Sequence, residues 1–149
     1  MIEQQLKVGV RRARLQDASR LAELSGELGY PADFQAIRRR LRLLLKSGDH
    51  AVYVAEVPDG RVAGWIHTFI HRVLESEWRA EIGGLVVGEG FRGRGAGQLL
   101  LERAERWATQ KGLRSVYLRS NVVRKAAHAF YQKRGYRRIK TQYAFLKTL

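Results

Sequence analysis

The hydrophobic positions along this chain follow two spacings, one typical of helices and one typical of strands. Apolar residues three and four positions apart predict four helices, at about 17–28, 33–48, 95–111 and 124–134. Alternating or continuous apolar runs predict strands at about 7–15, 51–57, 62–73, 79–87, 115–119, 136–139 and 142–146. A glycine stands at the end of each predicted helix, where it can adopt the left-handed conformation that stops a helix, at Gly29, Gly48, Gly112 and Gly135.

The order of these elements is β-α-α-β-β-β-α-β-α-β-β, so that antiparallel strands come first and a strand-helix-strand crossover follows. Pro58-Asp59-Gly60 lies between two of the strands and suits a hairpin turn. A chain of 149 residues without a linker, repeat or low-complexity tract is typical of one globular domain. We therefore predict a single mixed α/β (α+β) domain over residues 1–149, with a central, mostly antiparallel twisted sheet of about seven strands flanked by four helices.

Composition excludes several kinds of site. The chain contains no cysteine, which excludes disulfides, thiolate zinc sites and a cysteine nucleophile. Its four histidines do not form a metal-binding pattern, and we predict no metal. No apolar run approaches the roughly 18 residues that cross a membrane, and residues 1–15 lack the apolar core of a signal peptide. We therefore expect a cytoplasmic protein that does not associate with membranes.

The charge of the chain is strongly positive and unevenly distributed. There are 28 Lys and Arg residues against 14 Asp and Glu, a formal net charge of +14. No acidic residue occurs in 106–149, and a further basic cluster occupies 38–42. Such surfaces attract polyanions, whether nucleic acid or a phosphorylated cofactor. A solvated basic surface without a partner explains the same composition, so charge alone does not decide the function.

A glycine-rich basic loop follows the apolar strand that ends at Leu85-Val86-Val87 and leads directly into a helix. Glycines at 93, 95 and 97 let consecutive backbone N–H groups approach an anion, and the helix N-terminus adds partial positive charge. Arg92 and Arg94 add full charges. The spacing is neither GxxxxGK[ST] nor GxGxxG, which excludes those two nucleotide-binding loops. The loop predicts a phosphate-binding site, although a tight strand-to-helix connection would also use glycines.

Two motifs carry a resemblance to a known family. Arg92, Gly95 and Gly97 match the pattern Gln or Arg, two residues, Gly, one residue, Gly or Ala. The phrase Ala-His-Ala-Phe-Tyr-Gln-Lys-Arg-Gly-Tyr at 127–136 is similar to an alanine, aromatic-tyrosine and closing Gly-aromatic pattern. With both motifs and this order of elements, the chain resembles the GCN5-related N-acetyltransferase (GNAT) superfamily over nearly its whole length.

The resemblance implies an acyl-CoA-dependent N-acetyltransferase that moves an acetyl group from acetyl-CoA to a primary amine. It implies direct attack in a ternary complex, which agrees with the absence of a cysteine nucleophile, and we also expect a homodimer. The acceptor is either a small amine, similar to an aminoglycoside or a polyamine, or a protein amine. Two other classes of function stay open. One is a basic nucleic-acid-binding module, for which we find no base-stacking motif, and the other is a CoA-binding regulator without catalysis.

By this resemblance, the CoA pyrophosphate would lie on the loop backbone and the pantetheine arm along the preceding strand. The residues implied in binding acetyl-CoA are Leu85, Val86, Val87, Arg92, Gly93, Arg94, Gly95, Ala96, Gly97, Asn121 and Arg124. The last two mark a departure from the family, because the asparagine often found seven residues before the family tyrosine is Arg124 here. Asn121 lies ten residues before Tyr131, and a turn or helix N-cap is its alternative role.

The resemblance also implies two catalytic residues. Glu81 is similar in position to a strand-four glutamate that serves as base in several members, and an amine of pKa about 10 needs a base at neutral pH. A glutamate paired with Arg79 or another cation is the alternative. Tyr131 matches the family tyrosine near the CoA sulfur, where a phenol of pKa about 10 can protonate a departing thiolate. A core aromatic beside Phe130 is its alternative. The residues assigned to acceptor binding are Tyr30, His67 and Glu81.

Overall fold

The structure of the chain is a computed structural model that describes residues 7–149. The chain divides into two units, one ending at Leu118 and one comprising Arg119–Leu149. The strands of the first unit are β1 (Gly9–Arg12), β2 (His50–Glu56), β3 (Val62–His71), β4 (Arg79–Val87) and β5 (Val116–Leu118). Its helices are α1 (Ala18–Glu27), α2 (Phe34–Leu45) and α3 (Ala96–Gln110), and the second unit contains α4 (Lys125–Lys133). Each of these elements was predicted from the sequence, with ends shifted by a few residues.

The sheet has the order β1-β2-β3-β4-β5, antiparallel except between β4 and β5, which run parallel. Val52 and Val54 of β2 belong to an apolar cluster with residues of α1 and α2. Tyr53 lies between them and points the other way, where the guanidinium of Arg103 in α3 lies 4.4 Å from the centre of its ring. The two faces of the sheet are therefore covered differently, one by α1 and α2 and the other by α3.

A bulge interrupts β4 at its centre. His67 pairs with Gly84 and Thr68 pairs with Ile82, so Gly83 is an extra residue on β4. A Cβ at Gly83 would lie 2.9 Å from His67 Nδ1, and one at Gly84 would lie 2.7 Å from Trp65 Cη2. Only glycines fit beneath these two aromatic rings without a shift of the side chains, which explains the pair of glycines in the middle of the strand.

Beyond this bulge β4 loses its second neighbour. It pairs with β5 only through Ala80, Glu81 and Ile82, while its pairing with β3 continues to Val87. Among residues 7–149, no strand pairs with 83–87 on the side that β5 occupies. The backbone of this half of β4 therefore has an open edge next to the loop that leads to α3.

The prediction of strands at 136–139 and 142–146 was wrong. Within residues 7–149 the chain has five strands and not about seven, because residues 136–149 form no regular structure. From Ile139 onward their apolar side chains are solvent-exposed, with Tyr143 at 91% and Phe145 at 94% exposure. Alternation of apolar and polar residues indicates strand propensity only, and a strand forms where its backbone also finds a partner edge.

Candidate active site

The loop before α3 has the backbone geometry of an anion-binding turn. Gly93 and Gly95 adopt left-handed conformations, with φ of 76° and 90°, and Gly95 is the N-cap of α3. The first N–H groups of α3, from Ala96 onward, have no acceptor inside the helix. The N-terminus of a 15-residue helix offers such N–H groups to anions, so this turn suits phosphate oxygens. The loop thus fits the pyrophosphate of a CoA ester.

The two loop arginines have different surroundings. Arg92 Nε donates a hydrogen bond to the carbonyl of Val87 at 3.0 Å, so its side chain ties the loop to the end of β4. Arg94 is exposed and forms no hydrogen bond or ion pair within residues 7–149. Leu85, Val86 and Val87 lie on the open half of β4 immediately before this loop. Ala96 and Gly97 form the first turn of α3, so the residues predicted to bind acetyl-CoA between 85 and 97 lie consecutively along one strand, loop and helix.

Glu81 lies on β4 two residues before the bulge and is only 5% exposed. Its neighbours across the sheet are Phe69 on β3 and Tyr117 on β5. The pairing with Arg79 that the sequence allowed is not formed, because the guanidinium of Arg79 lies instead over the ring of Tyr117, 3.8 Å from its centre. Glu81 is therefore an acid buried in the sheet and not a surface carboxylate.

His67 belongs to an aromatic cluster on the same face of the sheet as Glu81. Its Nε2 is 2.9 Å from Nδ1 of His50, and the two imidazole rings stack with centroids 5.2 Å apart. Phe69 stacks on His50 at 5.5 Å. Burial, aided by the nearby charge of His50, lowers the pKa of His67 to about 4. His67 is therefore neutral at physiological pH, and one imidazole of the pair donates to the other.

We expect this buried imidazole to make stability depend on pH. The pKa of His67 is about 4 in the folded chain and about 6.5 when unfolded, so the unfolded chain binds more protons between these values. The free energy of unfolding should fall as the pH decreases from 6.5 toward 4, by at most about 1.4 kcal/mol per pH unit for this group. NMR titration should give the low pKa directly, and His67→Asn should flatten the pH dependence of the thermal midpoint. A His67 pKa above 6.5 would contradict this prediction.

Asn121 and Arg124 lie in the second unit, where they shape the turn before α4. Asn121 Oδ1 accepts a hydrogen bond from the N–H of Val123 at 3.1 Å, which is the turn role that the sequence allowed. Its carbonyl accepts from the N–H of Arg124 and lies 2.9 Å from Nε2 of His128. Arg124 is the N-cap residue of α4. A CoA contact by either residue stays a prediction.

Tyr131 lies on α4 within an aromatic cluster of the second unit. Its ring contacts those of Phe130 and Tyr136 edge to face, with centroids 5.2 Å and 5.9 Å apart. Burial raises the pKa of the Tyr131 phenol above its usual value, against the opposing charge of Arg124. The hydroxyl is therefore protonated at neutral pH, the state that a general acid requires.

The remaining predictions concern the acceptor and the excluded kinds of site. Tyr30 is 73% exposed in the connection between α1 and α2, whereas His67 is partly buried on the sheet. Within residues 7–149 no three His, Asp or Glu residues are grouped so as to hold a metal ion. No helix in these residues combines the length and apolar character needed to span a bilayer.

Sequence reasoning missed the neighbours that the sheet register places around Glu81. These neighbours come from other strands and share one face of the sheet with Glu81: His50 from β2, Phe69 from β3 and Tyr117 from β5. Arg79, two residues away on β4, was already considered as a partner of Glu81, and period-two alternation puts it on the same face. His50, Phe69 and Tyr117 depend on which strands pair and in which register, which the local pattern does not reveal.

Comparison with known proteins identifies relatives for most of the chain. Residues 15–136 match the model of the acetyltransferase (GNAT) family. An aminoalkylphosphonate N-acetyltransferase of Salmonella typhimurium is 35% identical over 120 residues, which are 78% of this chain and 75% of that protein. An N-acetyltransferase of Chlorobaculum tepidum is 30% identical over 134 residues, 90% of this chain and 78% of that protein.

Solved structures show the same fold at lower sequence identity. The aminoglycoside 6'-N-acetyltransferase AAC(6')-Ih of Acinetobacter baumannii superimposes with a TM-score of 0.84 at 16% identity, covering 96% of this chain and 99% of that one. AAC(6')-Iy, in complex with a bisubstrate analogue made of CoA and an acetylneamine, has a TM-score of 0.84 at 20% identity, with the same coverage. These likenesses establish the fold.

Proposed function

This chain belongs to the acetyltransferase (GNAT) family, and we propose that it acetylates a small primary amine by direct attack on acetyl-CoA within a ternary complex. As a member of that family it is an acetyl-CoA-dependent N-acetyltransferase. The proposal concerns the acceptor, the order of the chemical events and the residues that carry them.

The observation that carries this proposal is the position of Glu81 on β4. The carboxylate is buried two residues before the bulge at Gly83, and the open edge of β4 begins at that bulge. Along the same strand, Leu85–Val87 lead into the glycine-rich loop. One strand therefore presents a buried acid and an unpaired backbone in sequence, which supports an amine at Glu81 and a thioester along 85–87.

The proposed reaction uses each of these features once. Glu81 removes a proton from the ammonium form of the acceptor, directly or through water, and the amine nitrogen then attacks the thioester carbonyl. An N–H of 85–87 donates to the carbonyl oxygen as negative charge develops on it. The tetrahedral adduct collapses, the carbon–sulfur bond breaks and the thiolate takes the proton of Tyr131. The excess proton on the attacking nitrogen passes through water to the Tyr131 phenolate, and Glu81 releases the proton that it took to solvent. The products are the acetylated amine and CoA.

A small acceptor is supported by the kind of surface around Glu81 and by the relative from Salmonella typhimurium. That relative is an aminoalkylphosphonate N-acetyltransferase, so its acceptor is a small amine. Around Glu81, Phe69 and Tyr117 are half-buried side chains on the two adjacent strands. Such a surface offers a few contacts close to the reacting nitrogen and suits a small molecule.

The loop can be tested with a pair of matched glycine variants. Gly95→Val places a side chain in the left-handed turn at the start of α3, and we expect it to weaken acetyl-CoA binding by at least about tenfold because the N–H donors are displaced. Gly60→Val is the control, because Gly60 has almost the same φ, 91°, in a turn with open space around it. Calorimetry on both folded variants measures the affinity. Equal affinity in the two variants would remove the loop from the site.

Turnover tests the activity itself. Release of CoA thiol from acetyl-CoA should depend on an added small amine and should stop when the amine is omitted. Mass spectrometry should show one acetyl group on the amine nitrogen and none on the protein. Detection of an acetylated enzyme as an intermediate would contradict direct attack within a ternary complex.

A further inference from the structure

We propose that Arg79 and His71 bind an oxyanion of the acceptor, so that the substrate is a small amine carrying an acidic group a few bonds from its nitrogen. This inference rests on the proposed function, because it takes Glu81 as the group that faces the amine. It adds the chemical class of the acceptor and two residues that select it.

The three side chains lie in adjacent rows on one face of the sheet. Phe69 pairs with Glu81 across β3 and β4, and His71 pairs with Arg79 in the next row of the same face. The residues of this face on β3 are only partly buried at 67, 69 and 71, whereas 66 and 68 on the other face are fully buried. The row of Arg79 and His71 is thus directly beside the row of Glu81, in the part of this face where the side chains of β3 are only partly covered.

Arg79 has no acidic partner. Its guanidinium lies over the Tyr117 ring at 3.8 Å, and it forms no ion pair or side-chain hydrogen bond within residues 7–149. Its Nε is buried without a hydrogen-bond partner among these residues. Arg72, which follows His71 in the chain, is instead neutralised by two hydrogen bonds to Asp49 at 2.8 Å and 2.9 Å. Arg79 therefore keeps its positive charge available, and burial of a cation without a partner is costly unless a ligand compensates it.

His71 provides a second unsatisfied nitrogen in the same row. Its Nδ1 is buried and has no hydrogen-bond partner within the described residues. The Cβ atoms of directly opposed residues on antiparallel strands are about 5 Å apart, so His71 borders the site of Arg79. The guanidinium leans toward Tyr117 on the other side of β4, which makes His71 the secondary contact of the two. Two nitrogen donors, one of them a planar guanidinium, suit a phosphonate, sulfonate or carboxylate.

The spacing along β4 limits the length of the acceptor. Arg79 and Glu81 are two residues apart on one strand, so their side chains leave the backbone about 7 Å from each other. An amine at Glu81 and an oxyanion at Arg79 would then be separated by two or three carbon atoms. Polycationic acceptors would place a second positive charge beside Arg79, which opposes binding.

The experiment compares amines that differ in charge and not in length. Wild-type kcat/KM is measured with 2-aminoethylphosphonate, 2-aminoethanesulfonate and β-alanine, then with neutral ethanolamine and with a diamine such as putrescine. We expect at least one of the three anionic amines to exceed ethanolamine by at least about tenfold, because an added hydrogen-bonded charge pair contributes that much. Preference among the three anions then identifies the oxyanion.

Variants of Arg79 test whether that residue selects the anion. Arg79→Gln should lower kcat/KM for the preferred anionic amine by about 10- to 150-fold, mainly through KM, and change ethanolamine by less than about threefold. The kcat/KM of Arg79→Lys for the same amine should lie between those of the wild type and Arg79→Gln, because lysine keeps the charge and loses the planar pair of donors. His71→Asn should cause a smaller loss with the same selectivity. Arg12→Gln is the matched control, because Arg12 also lies over a tyrosine, Tyr53, but on β1 at the other edge of the sheet.

The outcomes separate this inference from the proposed function. Acetylation of ethanolamine or putrescine as efficiently as of the anionic amines would overturn the inference and leave amine acetylation intact. An equal loss on charged and neutral amines in Arg79→Gln would assign Arg79 a structural role and also overturn it. If no amine is acetylated, the proposed function fails. Calorimetry of the three anionic amines in the presence of CoA then tests the oxyanion site by itself. Binding to wild type and not to Arg79→Gln would support the site, and no binding to wild type would overturn it.

Discussion

Replacement of Glu81 by glutamine should lower kcat by about 100- to 10,000-fold at neutral pH while leaving the affinity for acetyl-CoA unchanged. Glutamine has nearly the same shape and fills the same buried position, but it cannot accept a proton from the acceptor ammonium. The amine has a pKa of about 10, so almost all of it is protonated at pH 7. Stopped assays of acetylated product, together with calorimetry of acetyl-CoA, measure the two quantities.

The pH dependence distinguishes a base from a residue that only supports the sheet. As the pH approaches 10, free amine becomes abundant without help from the protein, and the deficit of Glu81→Gln should shrink. A structural defect would give the same deficit at every pH. Glu23→Gln on α1 is the matched control, because Glu23 is an exposed glutamate paired with Arg20. A Glu81→Gln enzyme with wild-type turnover, under conditions where chemistry limits the rate, would assign the base to another group.

Tyr131→Phe should keep the fold and lose rate, because it removes one hydroxyl and leaves the ring. The ring packs against Phe130 and Tyr136, and these contacts do not use the hydroxyl. The raised pKa of Tyr131 keeps its proton in place at neutral pH. Loss of a general acid typically lowers the rate by about 100- to 10,000-fold. The departing thiol has a pKa near 8.5, so at higher pH the thiolate can leave without a proton and the loss of rate should be smaller.

The donor thioester offers an independent test of the same role. With an acetyl thioester of a more acidic thiol, the leaving group departs more easily and the loss in Tyr131→Phe should be smaller than with acetyl-CoA. A structural aromatic predicts little change in rate with either donor. Tyr143→Phe is the control, because Tyr143 lies in the same unit and is 91% exposed. Equal thermal midpoints of the wild type and both variants confirm that all three are folded.

The fold of the first unit was largely predictable from local signals. The positions of α1, α2 and α3 follow from apolar residues at helical spacing, and Gly29 and Gly112 adopt positive φ where helices were predicted to stop. The glycine-rich loop also lies where the sequence predicted it, between β4 and α3, and Gly93 and Gly95 adopt left-handed conformations there. These features depend on residues close together in the chain, and so each is encoded within one short segment.

The sequence by itself determined which residues are available for chemistry, and the tertiary structure decided which of them meet. Strands at 136–139 and 142–146 were predicted from alternation and are absent from the structure. The prediction failed because the pattern of one segment does not show whether it has a partner edge to pair with. The bulge at Gly83 shifts the register of β4, and that shift sets the cross-strand neighbours of every residue after it. Register likewise puts Glu81 opposite Phe69 and leaves Arg79 beside His71 without an acid. Such neighbours come from distant parts of the chain, so only the assembled sheet reveals them.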